Sequence, residues 1–175
     1  MKQGVVWLTG LPGAGKTTLA RALGHCLLEA GHQVHLLDGD ELRIVFPETG
    51  FDHDSRHRHI LRAAGLAAGL EEKGAIVVVS LISPYRESRQ QARAICHRFI
   101  EVFIDTSLQE CERRDPKGLY RRARAGEIVN FTGVTDVYEP PQAPDIQVPT
   151  LGISVDRSLK LLLDGIEARW DRADA

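Results

Sequence analysis

Apolar positions along the chain fall into short continuous runs separated by stretches with helical spacing, and the two kinds alternate from end to end. Val5-Val6-Trp7-Leu8 is a first β-type run, and Leu19, Leu23, Cys26, Leu27 and Ala30 recur at helical spacing until Gly31 offers a C-cap. Val34 to Leu37 predict a second strand, which ends at Asp38-Gly39-Asp40. Asp52 to His59 form a polar, His-rich entry to a helix carrying Ile60, Leu61, Ala64, Ala67, Ala68 and Leu70 before Gly74. Ala75 to Leu81 is a β-branched run of the kind buried on both faces of a parallel sheet. Ile82-Ser83-Pro84-Tyr85-Arg86 turns the chain into a helix of mixed charge, and Phe99 to Ile104 make a fourth strand ending at Asp105. Ile146 to Val148 add a short strand, and a closing helix from about Val155 to Trp170 places Leu159, Leu162, Leu163 and Ile166 on one face. Such alternation predicts an α/β fold with a mainly parallel sheet, right-handed crossovers and helices on both faces. A length of 175 residues fits one domain spanning 1–175, without internal repeats or low-complexity segments.

The join between the first strand and the first helix carries the clearest chemistry. Gly10-Leu11-Pro12-Gly13-Ala14-Gly15-Lys16-Thr17 satisfies G-x-x-x-x-G-K-[ST], with Thr18 directly behind it. Glycines let successive backbone N–H groups turn onto a polyanion, Lys16 reaches the β- and γ-phosphates, and the Thr17 hydroxyl sits on Mg²⁺. The helix that opens there adds its positive end. The expectation is therefore a P-loop NTPase, a three-layer α/β/α sandwich that binds ATP with Mg²⁺.

Composition narrows the partners. With 22 basic and 24 acidic residues, there is no basic excess of the kind a general nucleic-acid binder needs. Cys26, Cys96 and Cys111 are widely spaced and lack C-x-x-C pairs, so they read as reduced core thiols. The first strand begins within a few residues, which leaves no room for a signal peptide, and no apolar run approaches the roughly 18 residues of a membrane span. A cytoplasmic protein with no membrane partner is expected. Any cationic chemistry must be local, and Arg113, Arg114, Lys117, Arg121, Arg122 and Arg124 crowd the stretch Glu110 to Val137. This stretch is expected to be a basic lid, which excludes water and neutralises charge on transferring oxygens. Beyond it, Glu139 to Pro149 hold four prolines and read as extended chain.

The guanine-reading sequence N-K-x-D of GTPase switches is absent, and the third strand ends in Ser80-Leu81-Ile82-Ser83 rather than in an acidic residue. A small-molecule kinase is the better reading. Such an enzyme needs a carboxylate near the acceptor hydroxyl, and Asp38 and Asp40 are the available pair. Asp38 is expected nearer Mg²⁺, with Thr17, and Asp40 nearer the acceptor as base or orienting group. A kinase for another small hydroxyl compound, such as a sugar acid, and a non-catalytic ATP-binding module remain alternatives.

Several segments together resemble the adenylyl-sulfate kinase family: Gly10 to Thr18, Leu37-Asp38-Gly39-Asp40-Glu41-Leu42-Arg43, Ile82-Ser83-Pro84-Tyr85-Arg86 and Arg114-Asp115-Pro116-Lys117-Gly118-Leu119-Tyr120. Ala123-Arg124-Ala125-Gly126-Glu127-Ile128 and Asn130-Phe131-Thr132-Gly133 extend the likeness over nearly the whole chain. The resemblance implies MgATP-dependent phosphorylation of the 3′-hydroxyl of adenosine 5′-phosphosulfate, and a homodimer. By similarity, Arg43, Arg56 and Lys117 would hold the anionic 5′ end, and Phe51 and Phe131 would clamp the adenine. Ile82 and Ser83 match positions lining the acceptor. The family marks that serine as a phosphoserine intermediate, whereas direct in-line transfer needs no covalent stop, so Ser83 reads as a substrate contact. Lys16, Asp40 and Ser83 are thus the expected catalytic-site residues.

The chain also departs from the family. Pro12 stands where Ser is usual, and Ser55-Arg56-His57-Arg58-His59-Ile60 replaces the usual Asp-Arg-x-Glu-Asn-Ile, so His59 takes the place of a substrate-contacting Asn. One imidazole hydrogen bond can still serve there. His53, His57 and His59 with Asp52 and Asp54 match no zinc spacing. An N-terminal extension carried by many relatives is not expected before the first strand.

Overall fold

In the computed structural model, residues 2–47 and 50–173 are described; Met1, Glu48, Thr49, Asp174 and Ala175, which the expected domain of 1–175 includes, lie outside them. Five strands, β1 (Gly4–Thr9), β2 (Val34–Asp38), β3 (Ile76–Ser80), β4 (Phe99–Asp105) and β5 (Ile146–Pro149), form one sheet in the order β2-β3-β1-β4-β5. Every neighbouring pair is parallel. The helices are α1 (Lys16–Glu29), α2 (Gly39–Val45), α3 (His53–Glu71), α4 (Arg86–Ile95), α5 (Leu108–Arg114), α6 (Leu119–Arg124) and α7 (Val155–Ala173).

Side chains alternate across β1 and divide the core in two. Val6 and Leu8 pack with Leu19, Leu23 and Leu27 of α1 and Leu162 and Ile166 of α7, whereas Val5 and Trp7 pack with Ile60, Ala63, Ala64 and Ala67 of α3 and Ala92 of α4. Three layers result, as the alternation of elements predicts. The run of alanines lets α3 lie close against the β-branched face of β3. On the opposite face Gly165 does the same for α7, since a Cβ there would stand 2.9 Å from Ile146 Cδ1.

Two local expectations change. The second strand runs on to Asp38 and a helix starts at once, because the Asp38 carboxylate accepts the Asp40 N–H and caps α2. The basic stretch from Glu110 to Val137 has an apolar underside: Cys111, Tyr120, Ala123 and Phe131 belong to the α1 and α7 core, with Leu119, Ile128 and Val134 packed against it. Most of its arginines are bound to carboxylates of the same stretch, Arg113 and Arg114 to Glu110, Arg122 to Glu127 and Arg124 to Glu112. Of the six cations in the run, Arg114 and Lys117 line the central cavity.

Candidate active site

The loop after β1 leaves the sheet at Gly10, where a Cβ would stand 2.8 Å from the Ile104 carbonyl, so no larger residue fits between β1 and β4. Gly13 and Gly15 take left-handed φ values of 75° and 106°, which fold the loop back over the start of α1. No side chain caps that helix, and its first N–H groups face the loop. Lys16 is 8% exposed and donates to the Gly10 and Leu11 carbonyls at 2.9 and 2.8 Å. Burial pushes its ammonium down to about 8, against the opposing pull of Cys111, Asp38 and Asp40.

The edge of the sheet supplies the oxygens. Thr17 Oγ1 donates to Asp38 Oδ2 at 2.8 Å and lies 3.4 Å from Ser80 Oγ. Asp38 and Ser80 are register partners at the ends of β2 and β3. Asp38 is thus held on both carboxylate oxygens and 5% exposed. Asp40, two residues on in the first turn of α2, is exposed and ion-paired with Lys117 across the mouth of the site.

One cavity of about 530 Å³ joins these parts. Pro12, Gly13, Ala14, Gly15, Lys16, Thr17 and Thr18 line it at one side, Asp38, Asp40, Arg43, Arg56, His59, Ile82 and Ser83 at the other, and Lys117 closes the mouth. Gly10 and Leu11 stand behind the wall, holding Lys16 through their carbonyls. Neither aromatic is part of the wall. Phe51 is 56% exposed and lies under the Arg43 guanidinium, 4.3 Å from its ring centroid. Phe131 is 8% exposed and packs edge-on against Tyr120, with centroids 5.0 Å apart. The structure therefore does not assemble them as two faces of a slot.

A profile of the family described as adenylylsulphate kinase matches residues 2–149. The chain belongs to that family. It is 47% identical over 166 residues to the adenylyl-sulfate kinase of Pseudomonas aeruginosa, covering 93% of this chain and 85% of the relative. Identity to a probable adenylyl-sulfate kinase of Aeropyrum pernix is 43% over 169 residues, covering 94% of this chain and 92% of the relative. Among solved structures, the Mycobacterium tuberculosis APS kinase in complex with AMPPNP and APS superposes with a TM-score of 0.91 at 41% identity, covering 95% of this chain and 99% of that one.

In this member of the adenylylsulphate kinase family the remaining candidates occupy distinct places. Arg56 is 6% exposed; its Nε donates to the Phe51 carbonyl at 2.8 Å, its Nη2 to the Asn130 carbonyl, and Asp136 lies 3.6 Å away. Burial and the neighbouring Arg56 lower the pKa of Arg43. His59 is 3% exposed, and burial, with Arg43 and Arg62 nearby, pushes its imidazole down to about 4, so it is neutral at physiological pH. The three histidines of the segment diverge: His53 packs at a tilt against Tyr85, His57 meets Ser88 at 2.8 Å, and among the described residues no group of three or more His, Cys, Asp or Glu is gathered to hold a metal. Ser83 takes a left-handed φ of 48°, and its buried hydroxyl accepts the Trp7 indole N–H at 2.9 Å.

Three further residues bear on the site without a distinct signal of their own. Arg114 reaches the Ala14 and Thr150 carbonyls at 3.3 Å each and lines the cavity, although the sequence shows it only as one arginine among several. Tyr120 donates to the Pro12 carbonyl at 2.9 Å and so braces the phosphate loop. Ser80 stands where a second carboxylate would be sought. Its register opposite Asp38 places it beside the carboxylate expected from the neighbouring strand end.

Proposed function

We propose that the protein transfers the γ-phosphoryl group of MgATP to the 3′-hydroxyl of adenosine 5′-phosphosulfate. The observation that carries this reading is the single cavity in which a phosphate loop, two carboxylates of different exposure and the cations Arg43, Arg56 and Lys117 face one another. Lys16 and the loop N–H groups hold the β- and γ-phosphates. Thr17 and Asp38 offer hard oxygen donors, and one carboxylate with a hydroxyl suits Mg²⁺, which keeps water and phosphate oxygens as its other ligands. Bound there, the ion would neutralise charge on the transferring group.

At the other side Arg43, Arg56 and Lys117 hold the phosphosulfate, for which guanidinium forks are suited. Neutral His59 contributes a hydrogen bond to the nucleotide. Asp40 takes the proton of the 3′-hydroxyl as that oxygen bonds to the γ-phosphorus and the bond from phosphorus to the β,γ-bridging oxygen breaks, with ADP leaving. Acceptor binding draws Lys117 from Asp40; an exposed pair of this kind is worth only about 0 to 1 kcal/mol, so it opens readily. The Ser83 hydroxyl is buried and accepts the Trp7 indole N–H, which supports direct transfer, with Ser83 as part of the acceptor wall.

The three cysteines are free thiols, which supports a reducing, cytoplasmic setting. Self-association as a homodimer is part of the same reading, and light scattering after size exclusion measures it. The test of function is ADP release with adenosine 5′-phosphosulfate, gluconate, AMP and shikimate as acceptors, with the product identified by mass and by loss of its phosphate to a 3′-nucleotidase. Turnover with gluconate and none with adenosine 5′-phosphosulfate would refute the substrate.

A further inference from the structure

Arg89 lies outside the cavity wall, on α4, and is 3% exposed. Each part of its guanidinium is used. Nε donates to Glu101 Oε1 at 2.8 Å, Nη1 to the Ser83 carbonyl at 2.6 Å and Nη2 to the Glu139 carbonyl at 2.7 Å. Glu101 on β4 neutralises the charge, which a buried guanidinium requires. The two carbonyls belong to different segments that flank the acceptor side. Ser83 lies midway in the turn between β3 and α4, and Glu139 follows the stretch whose Asp136 meets Arg56 and Tyr85.

Ser83 needs this support. A non-glycine residue at φ 48° is strained, and such a conformation persists only where its surroundings impose it. Trp7 fixes the Ser83 hydroxyl from below, Thr9 Oγ1 donates to the Ile82 carbonyl at 2.6 Å, and the Gly10 N–H reaches the same carbonyl at 3.4 Å. The wall at Ile82 and Ser83 is therefore tied to the first glycine of the phosphate loop on one side and to Arg89 on the other.

We propose that Arg89, with Trp7 as a second clamp, is a positioning residue that holds the Ile82-Ser83 backbone in its left-handed turn and so shapes the acceptor subsite. The inference rests on the acceptor reading above.

The experiment measures KM for both substrates, kcat and the thermal midpoint in Arg89→Lys, Trp7→Phe and the double variant Arg89→Lys with Ser83→Gly. Lysine keeps the charge for Glu101 but cannot serve both carbonyls. The expected result for Arg89→Lys is an acceptor KM raised about tenfold or more, the scale of a lost charge-assisted hydrogen bond, with ATP KM within about twofold. Trp7→Phe keeps an aromatic side chain against Phe99 but removes the indole N–H and leaves a small cavity, so the thermal midpoint falls while the expected rise in the same constant is about threefold. Glycine gives up the hydroxyl that Trp7 holds but adopts the left-handed conformation without strain, so adding Ser83→Gly to Arg89→Lys should still recover part of the loss in acceptor KM. A purely structural role gives no such recovery. Should Arg89→Lys fail to fold, Trp7→Phe still decides. An unchanged acceptor KM in the folded variants, or equal rises for both substrates, overturns the proposal. Wild-type protein that does not turn over adenosine 5′-phosphosulfate refutes the acceptor reading and this inference with it, whereas normal wild-type turnover with unchanged variants refutes only the role of Arg89.

Discussion

Lys16 gives the most quantitative test of the phosphate loop. Its ammonium is buried against two backbone carbonyls and held down to about 8, so half of the nucleotide-free protein has lost this proton at pH 8. Bound phosphate oxygens favour the charged form and raise the pKa, so ATP binding must draw in protons. From the titration curve the uptake is about 0.1 proton at pH 7, about 0.5 at pH 8 and about 0.9 at pH 9. Affinity follows the protonated fraction and weakens about tenfold between pH 7 and pH 9, close to 1.4 kcal/mol. Calorimetry of MgATP binding in two buffers of contrasting ionisation enthalpy reads the uptake directly, and Lys16→Met removes it while circular dichroism reports the fold. Protons exchanged by ATP and Mg²⁺ themselves cancel in the difference between the two proteins. Equal uptake at pH 8 by wild type and a folded Lys16→Met would show that the loop lysine does not meet the phosphates.

Asp40→Asn should lower kcat by at least about a hundredfold while ATP affinity changes little, since the carboxylate acts on the acceptor in the transition state; an equal loss of ATP affinity would move Asp40 to the metal or to the fold. Phe131→Ala should cost about 3 kcal/mol in urea denaturation because the ring is buried on Tyr120, whereas Phe51→Ala should change stability by less than about 0.5 kcal/mol and act on acceptor KM. His59 is buried with its pKa near 4, below the usual 6.5, so the unfolded chain binds more protons between these values and stability falls as pH drops through that window, by up to about 3 kcal/mol. His59→Asn should remove that part of the acid sensitivity and leave activity equal or higher, and an unaltered acid profile would contradict the assignment.

Periodicity revealed what is local. The runs at Val5, Val34, Ala75, Phe99 and Ile146 became the five strands, and Gly10 to Thr17 stands where strand gives way to helix. Strand order is non-local, since nothing in the apolar pattern says that β3 rather than β2 lies beside β1. The arginine run was misleading for a related reason. Glu110 with Arg113 and Arg114 has the spacing of pairs within one helix, but Glu112 meets Arg124 of the next helix, and only the fold turns that surface outward. Phe131 likewise looks like a free aromatic in Asn-Phe-Thr-Gly until Tyr120 is placed against it.

The two carboxylates that the sequence leaves nearly interchangeable are separated by their surroundings. Asp38 caps α2 with one oxygen and receives the Thr17 hydroxyl with the other, so its position is set before any ligand arrives. That rigidity suits a group which must fix an ion and its phosphates without reorganising. Asp40 is 71% exposed at its side chain and is anchored, among the described residues, by an ion pair to Lys117. Such a group can meet an incoming hydroxyl, accept its proton and release it to water afterwards. On the proposed reaction the division of labour therefore follows from a single helix start. The residue before α2 is immobilised by the cap it makes, and the residue inside its first turn is left exposed beside Lys117, free to meet the proposed acceptor.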